Sequence, residues 1–139
     1  MKNKSEGITE IEAKRCTANL SAVEDTIYVI GGKWKIKVII ALREQGKMRF
    51  NELQRMITGI SARVLSNELK ELEMNGFIKR KVYTKAPVVI EYELTGYSDT
   101  LNNVLQAMIQ WGTMHRNKIK SEAKKKRLDA LKKQQLSAA

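Results

Sequence analysis

The chain has 139 residues, 42% of them hydrophobic, a formal net charge of +11 and one cysteine, enough for one domain with a modest core. Its longest apolar run, residues 38–42, falls far short of the roughly 20 residues of a membrane helix, and its N-terminus lacks the apolar stretch of a secretory signal. A lone cysteine excludes an internal disulfide, so a reducing, cytoplasmic setting is expected.

In chain order, residues 1–20 read as a polar N-terminal arm. A first helix is predicted over residues 22–30, with Ser21 as its N-cap and Val23, Ile27 and Ile30 at i, i+4 and i+7, before Gly31 and Gly32 break it. A second helix over residues 33–44 buries Trp34, Val38, Ala41 and Leu42 and stops at Gly46. Residues 47–49 read as a short strand. Asn51 is placed to cap a third helix that buries Leu53, Met56 and Ile57. After the turn Thr58-Gly59-Ile60, Ser61 caps a fourth helix over residues 62–75, closed by Gly76.

Residues 77–83 and 88–94 are β-rich and read as a hairpin with Pro87 at its bend. A long helix from Tyr97 or Ser98 follows, carrying Leu101, Val104, Leu105, Met108, Trp111 and Gly112 on its apolar side. Beyond His115 only Ile119, Leu128 and Leu131 remain apolar among lysines, so residues 116–139 are either a basic helical extension or a tail. The order α-α-β-α-α-β-β-α is mainly α, with a small α+β element, and is that of a winged helix-turn-helix over residues 21–115.

The fourth helix has two contrasting sides. Leu65, Leu69 and Leu72 form one stripe on a 3.6-residue period, while Arg63, Ser66, Asn67 and Lys70 form a low, polar one. Such a helix fits a DNA major groove. Charge distribution agrees: residues 33–83 carry twelve basic and five acidic groups, and residues 116–139 carry nine and two. Localised positive charge suits a polyanion by counterion release, although a solvated lysine face would look the same.

Base reading is therefore assigned to Ser61, Ala62, Arg63, Ser66, Asn67 and Lys70. Arg63 suits guanine and Asn67 adenine by bidentate geometry, Ser66 is short enough to allow close approach, and Lys70 meets phosphate. Ser61 is either a contact or purely a cap. Lys33, Lys47 and Arg49 are the preferred backbone anchors, with Lys35, Lys37 and Arg55 as further cations. The hairpin supplies Lys79, Arg80, Lys81 and Lys85 as a wing, while residues 88–90 read as a strand packed on the core.

With these residues in view, the chain closely resembles the HxlR-type winged helix-turn-helix regulators of bacteria. The resemblance spans residues 21–112 and rests on linked motifs: Ile-Gly-Gly-Lys-Trp at 30–34, Arg-Phe-Asn-Glu-Leu at 49–53, Gly-Ile-Ser at 59–61, Val-Leu-Ser at 64–66, Leu-Lys-Glu-Leu-Glu at 69–73, Glu-Tyr-Glu-Leu-Thr at 91–95 and Trp111-Gly112. It implies a homodimer joined by the first and last helices, one recognition helix per subunit, no enzymatic activity, and regulation of a nearby operon. Val23, Ile27, Leu101, Leu105, Met108 and Trp111 are the candidate dimer surface. Burial of the last-helix stripe inside one chain is the alternative to its use as a dimer surface.

The chain also departs from the family. The cysteine usually found 13 residues before the motif tryptophan, the reactive group of redox- and aldehyde-sensing members, is Ser21 here, and serine does not replace a thiolate. The basic residue usual in the wing is Val89, and a usual glycine is Ser98. Cys16, beside Lys14 and Arg15, remains either a candidate redox sensor or an inert surface thiol.

The single histidine, His115, and Cys16 lie 99 positions apart, so neither a metal cluster nor a Cys-His pair is expected. Gly31-Gly32 lacks the Lys-Ser/Thr of a phosphate loop. No catalytic residue, metal or cofactor is assigned. The expected function is sequence-specific transcriptional regulation, in the sense of repression, by a cytoplasmic, nucleoid-associated dimer on a palindromic DNA operator, with half-sites about 34–36 Å apart or a multiple. A sequence-tolerant architectural DNA binder and a winged-helix protein-interaction module are the alternatives, and any small-molecule effector is unread.

Overall fold

The computed structural model describes residues 9–138. Helix α1 runs Glu10–Ile30, twelve residues earlier than its apolar period suggests. A reciprocal cap explains the start: Thr9 Oγ1 accepts from Glu12 N–H at 3.3 Å, and Glu12 Oε2 accepts from Thr9 N–H at 3.0 Å. The polar arm expected to reach residue 20 is thus helical from Glu10, Ser21 lies mid-helix instead of capping, and residues 1–8 lie outside the described residues. Periodicity misses this stretch because residues 10–28 are exposed on every side, with only Ile30 buried. Gly31 then ends the helix at a place where a Cβ would collide with the Ile27 carbonyl oxygen.

Helix α2, Lys35–Gln45, starts after Trp34, which takes the N-cap position half-buried instead of lying inside the helix. Strand β1, Met48–Arg49, runs directly into α3, Phe50–Met56, so Arg49 occupies the N-cap position and Asn51 falls within the first turn, not at the cap. Leu53 and Ile57 are buried as expected, but Met56 is 42% exposed, at the lining of a surface depression it shares with Lys37, Ile40 and Glu44.

Gly59, at φ +86°, makes the reversal that a residue with a Cβ resists. Ile60, 5% exposed, pins the turn to the core. Ser61 does cap α4, Ala62–Met74, accepting from Val64 N–H at 3.2 Å. Leu65, Leu69 and Leu72 on the dry side of α4 are sealed from solvent, as are Val38, Ile39 and Leu42 of α2, against which α4 packs, and Leu53 of α3. Each fully buried side chain of this kind contributes about 1.5–3 kcal/mol.

Strands β2, Ile78–Tyr83, and β3, Val89–Leu94, form the hairpin, and β1 pairs on its far side, giving an antiparallel order β1-β3-β2. The register places Lys79 opposite Glu93, Arg80 opposite Tyr92 and Arg49 opposite Glu91. The base of the hairpin is clasped to the end of α4. Thr95 Oγ1 donates to the carbonyls of both Gly76 and Phe77, and Thr95 N–H donates to Phe77 O at 2.9 Å.

The chain divides at Ser98 and Asp99 into two compact units. The second holds the end of a 3-10 turn, Gly96–Leu101, and the helix α5, Asn102–Ser137. Leu101 and Leu105 are buried, and from Gln106 onward every described side chain of α5 is exposed. Of the two readings of residues 116–139, the helical extension is the one observed, to Ser137.

Candidate nucleic-acid interface

The wet side of α4 emerges as the sequence pattern implies. Ser61, Ala62, Arg63, Asn67 and Lys70 are exposed and Ser66 is half-buried, while the leucines on the opposite side hold the helix in place. None of the described residues makes an ion pair with Arg63 or Lys70, so both heads are free to meet a ligand. Ser61 Oγ is occupied as a cap, though its O–H remains a donor.

The expected wing cations separate into two groups because neighbouring strand residues point to opposite faces. Arg80 shares a surface depression with Ser66, Leu69, Lys70, Glu73 and Tyr92, which makes it continuous with the recognition helix. Lys79 and Lys81 point the other way and converge on Glu93 at 3.2 and 2.9 Å. Lys47, expected as a separate anchor, joins them at 3.8 Å. The Lys81 ammonium above all, against an opposing effect of burial and with Lys79 assisting, holds the Glu93 carboxyl below the usual glutamate range. Lys85 lies exposed in the hairpin loop.

Lys33 and Lys37 both rest on the Trp34 ring, their Nζ atoms 4.7 and 5.0 Å from its centroid. Each such contact is worth about 0.5–1 kcal/mol at an exposed site. The same ring reaches to 3.9 Å from where a Cβ on Gly59 would be, so the two ammonium groups are held beside the turn between α3 and α4. Arg49 stays exposed near Glu52, at 4.0 Å.

Lys35 corrects the expectation of a phosphate contact. It is 9% exposed, and its ammonium binds Glu68 at 2.9 Å and Glu71 at 2.5 Å, both on α4. Burial pulls its pKa down, but the hydrogen bonds the ammonium donates to Glu71 and Glu68, with their negative charge, outweigh that, and the net shift is upward. Glu68 Oε2 is buried and receives no other donor, so this ammonium is its compensation. Lys35 is a strut between α2 and the recognition helix. Nothing in the sequence marks it, because residues 35, 68 and 71 meet only through the tertiary fold.

On α1, Val23 and Ile27 are 54% and 62% exposed, and on α5 Met108 and Trp111 are 47% and 60% exposed. Trp111 stacks on His115 with centroids 4.9 Å apart. Leu101 and Leu105, from the same candidate surface, are already buried within one chain. Cys16 is exposed on α1. Lys14 and Arg15, though adjacent in sequence, lie on other flanks of the helix, and Lys14 is paired with Glu10 at 3.3 Å.

No described helix is long and apolar enough to cross a membrane. Among the described residues no group of His, Cys, Asp and Glu could hold a metal ion.

A model of the HxlR-like helix-turn-helix matches residues 29–120. The chain belongs to this HxlR-like family. A helix-turn-helix transcriptional regulator of Halalkalibacterium halodurans is 44% identical over 92 residues, which is 66% of this chain and 81% of that protein. The Bacillus subtilis regulator YdeP is 41% identical over 110 residues, 78% of this chain and 85% of its own. Among solved structures, that of the regulator YtcD superposes with a TM-score of 0.66 at 42% identity, covering 68% of this chain and 96% of that one. The redox regulator HypR in its reduced form gives the same score at 40% identity, covering 72% and 98%. These solved structures are winged-helix regulators, and the HxlR-like chain is accordingly a DNA-binding transcription regulator with a helix-turn-helix at residues 50–74.

Proposed function

We propose that the chain represses transcription as a homodimer that occupies a palindromic operator. The observation that carries this reading is the exposed, unpaired polar side of α4, with Arg63, Asn67 and Lys70 set beside Ser66 and Arg80. Arg63 reads guanine, Asn67 reads adenine, and Lys70 and Arg80 meet phosphate at the groove edge. Lys33, Arg49 and Lys85 add backbone contacts, and Lys47, Lys79 and Lys81 contribute the charge that Glu93 leaves unneutralised. Val23, Ile27, Met108 and Trp111 form the dimer surface, since exposed apolar groups on two helices call for a partner. A domain at residues 21–115 thereby reads DNA, with the helical stretch before it and the basic one after it as appendages.

The test is footprinting on the chain's own upstream region, followed by competition against random duplex at matched salt. The native protein prefers its site by about 10³-fold or more. Arg63→Ala loses about 1–3 kcal/mol of discrimination at one position of each half-site, with thermal stability unchanged because the side chain is exposed. Discrimination untouched by this substitution removes the proposed reading. Cys16, the single thiol, sits on a helix of the dimer surface, and through it an oxidant would act. Alkylation of Cys16 that leaves operator affinity unaltered eliminates that role.

A further inference from the structure

The segment beyond His115 is the largest structural feature the recognition site does not use. Residues 116–137 continue α5 as one uninterrupted helix with nine basic and two acidic side chains. At a rise of 1.5 Å per residue this stretch is roughly 33 Å long, close to one turn of duplex DNA. The family match ends at residue 120, so most of this rod lies beyond the matched domain.

Its surface chemistry is unusual for a helix. Ile119, Leu128, Leu131 and Leu136 are 49–79% exposed, and only Leu128 and Leu131 are neighbours on one side, so no continuous apolar stripe runs along this stretch to pack on a core, a partner helix or a lipid surface. Glu122 and Asp129 are seven residues apart and share one narrow side. Lysine and arginine occupy much of the circumference, interrupted by Asn117, Ser121 and Leu128 on one side and by Ile119, Ala123 and Ala130 on another. Among the described residues only Lys118 is ion-paired on this stretch, to Glu122 at 3.9 Å. Like charges at i, i+4, as at Arg116, Lys120 and Lys124, repel and destabilise the isolated helix. A polyanion removes that repulsion, and cations spread over several sides of the rod let it be met from more than one direction.

We infer that residues 116–137 form a second DNA-contacting element that grips phosphates without reading sequence. It supplies sequence-independent affinity to the regulator. The inference rests on the reading of this protein as a DNA-binding regulator but not on which bases α4 reads.

The test uses the full chain with Lys124, Lys125, Lys126 and Arg127 all changed to Gln, residues that keep good helix propensity. Circular dichroism first checks that the helix is retained. Affinity is then measured across salt on an operator duplex and on a random duplex of the same length. On both, affinity falls at least tenfold and the slope of log K against log salt falls by up to about 3.6 per chain, from four lost contacts at about 0.9 each. The preference for operator over random duplex stays the same. Equal binding by variant and native protein overturns the inference, as does a loss confined to the operator. So does a variant that keeps full duplex affinity while losing affinity for phosphatidylserine vesicles. If the native protein shows no operator preference, the proposed repressor fails, yet a drop on long random duplex still supports the extension as a DNA grip.

Discussion

Lys35 and Lys37 are two residues apart and carry the same charge, yet only Lys37 is free to meet a polyanion. The difference is made by Glu68 and Glu71 on α4, which draw the Lys35 ammonium inward. Removing one partner of a buried ion pair leaves an uncompensated charge, so Lys35→Met destabilises the fold by about 3–5 kcal/mol. The double variant with Glu68→Gln recovers much of that loss, because the buried carboxylate is neutralised too. The raised pKa of Lys35 sets the sign of its pH dependence. Its contribution is complete below the ordinary lysine value of about 10.4 and disappears as pH rises through the higher folded value. Alkaline unfolding followed by tryptophan fluorescence shows this as a steep limb that Glu68→Gln with Glu71→Gln flattens. Lys35 also marks where sequence reading stops. Spacing identifies Leu65, Leu69 and Leu72 as a core stripe, since their partners in the pattern are local. An ion pair across 33 positions leaves no local trace.

At the scale of elements, strand pleat decides which wing cations matter. Arg80 lies beside the recognition helix, whereas Lys79 and Lys81 share Glu93 on the opposite face. Arg80→Ala therefore lowers operator affinity and reduces the salt slope by about 0.9, one phosphate contact. Lys79→Ala changes the slope less, because its charge is already partly compensated. Glu93, held below its usual pKa, contributes to the hairpin above the ordinary glutamate value of about 4.3, and that contribution is lost as pH falls through the lower folded value. Hydrogen exchange at residues 78–83 and 89–94 should accelerate in acid before the α4 core opens. The hairpin, α4 and its Ser61 cap were legible because turn residues and alternation announce them. The early start of α1 was not, since its capping box precedes a stretch without an apolar period, and the start of α3 was displaced by a strand that leaves no room for Asn51 to cap.

At the scale of the whole molecule, the open question is the partner surface. Val23, Ile27, Met108 and Trp111 remain exposed in one chain, while Leu101 and Leu105 do not. Trp111→Glu with Ile27→Glu places charges in the proposed dimer surface. Sedimentation then shows monomers, and operator affinity falls by 10²-fold or more, in the range of avidity lost when paired sites are unlinked. Leu105→Glu acts differently, through loss of folding, because that side chain is buried within its own chain. A mass unchanged by the paired substitution would place the dimer contact elsewhere. How far the chain is a regulator was legible from the wet side of α4 and the family motifs. The reach of the basic helix was not, because a lysine-rich stretch reads the same whether it is folded or frayed.

The Thr95 clasp on the carbonyls of Gly76 and Phe77 fixes more than a local turn. It welds α4 and the hairpin into one bracket, so the offset between the DNA contacts proposed for each is a constant of the protein. Inserting a single base pair between those contacts inside a half-site would have to be absorbed by twisting the duplex, whereas one inserted at the dyad would be shared with whatever slack the subunits allow. Operators for this chain should therefore tolerate variation at their centre sooner than within either arm.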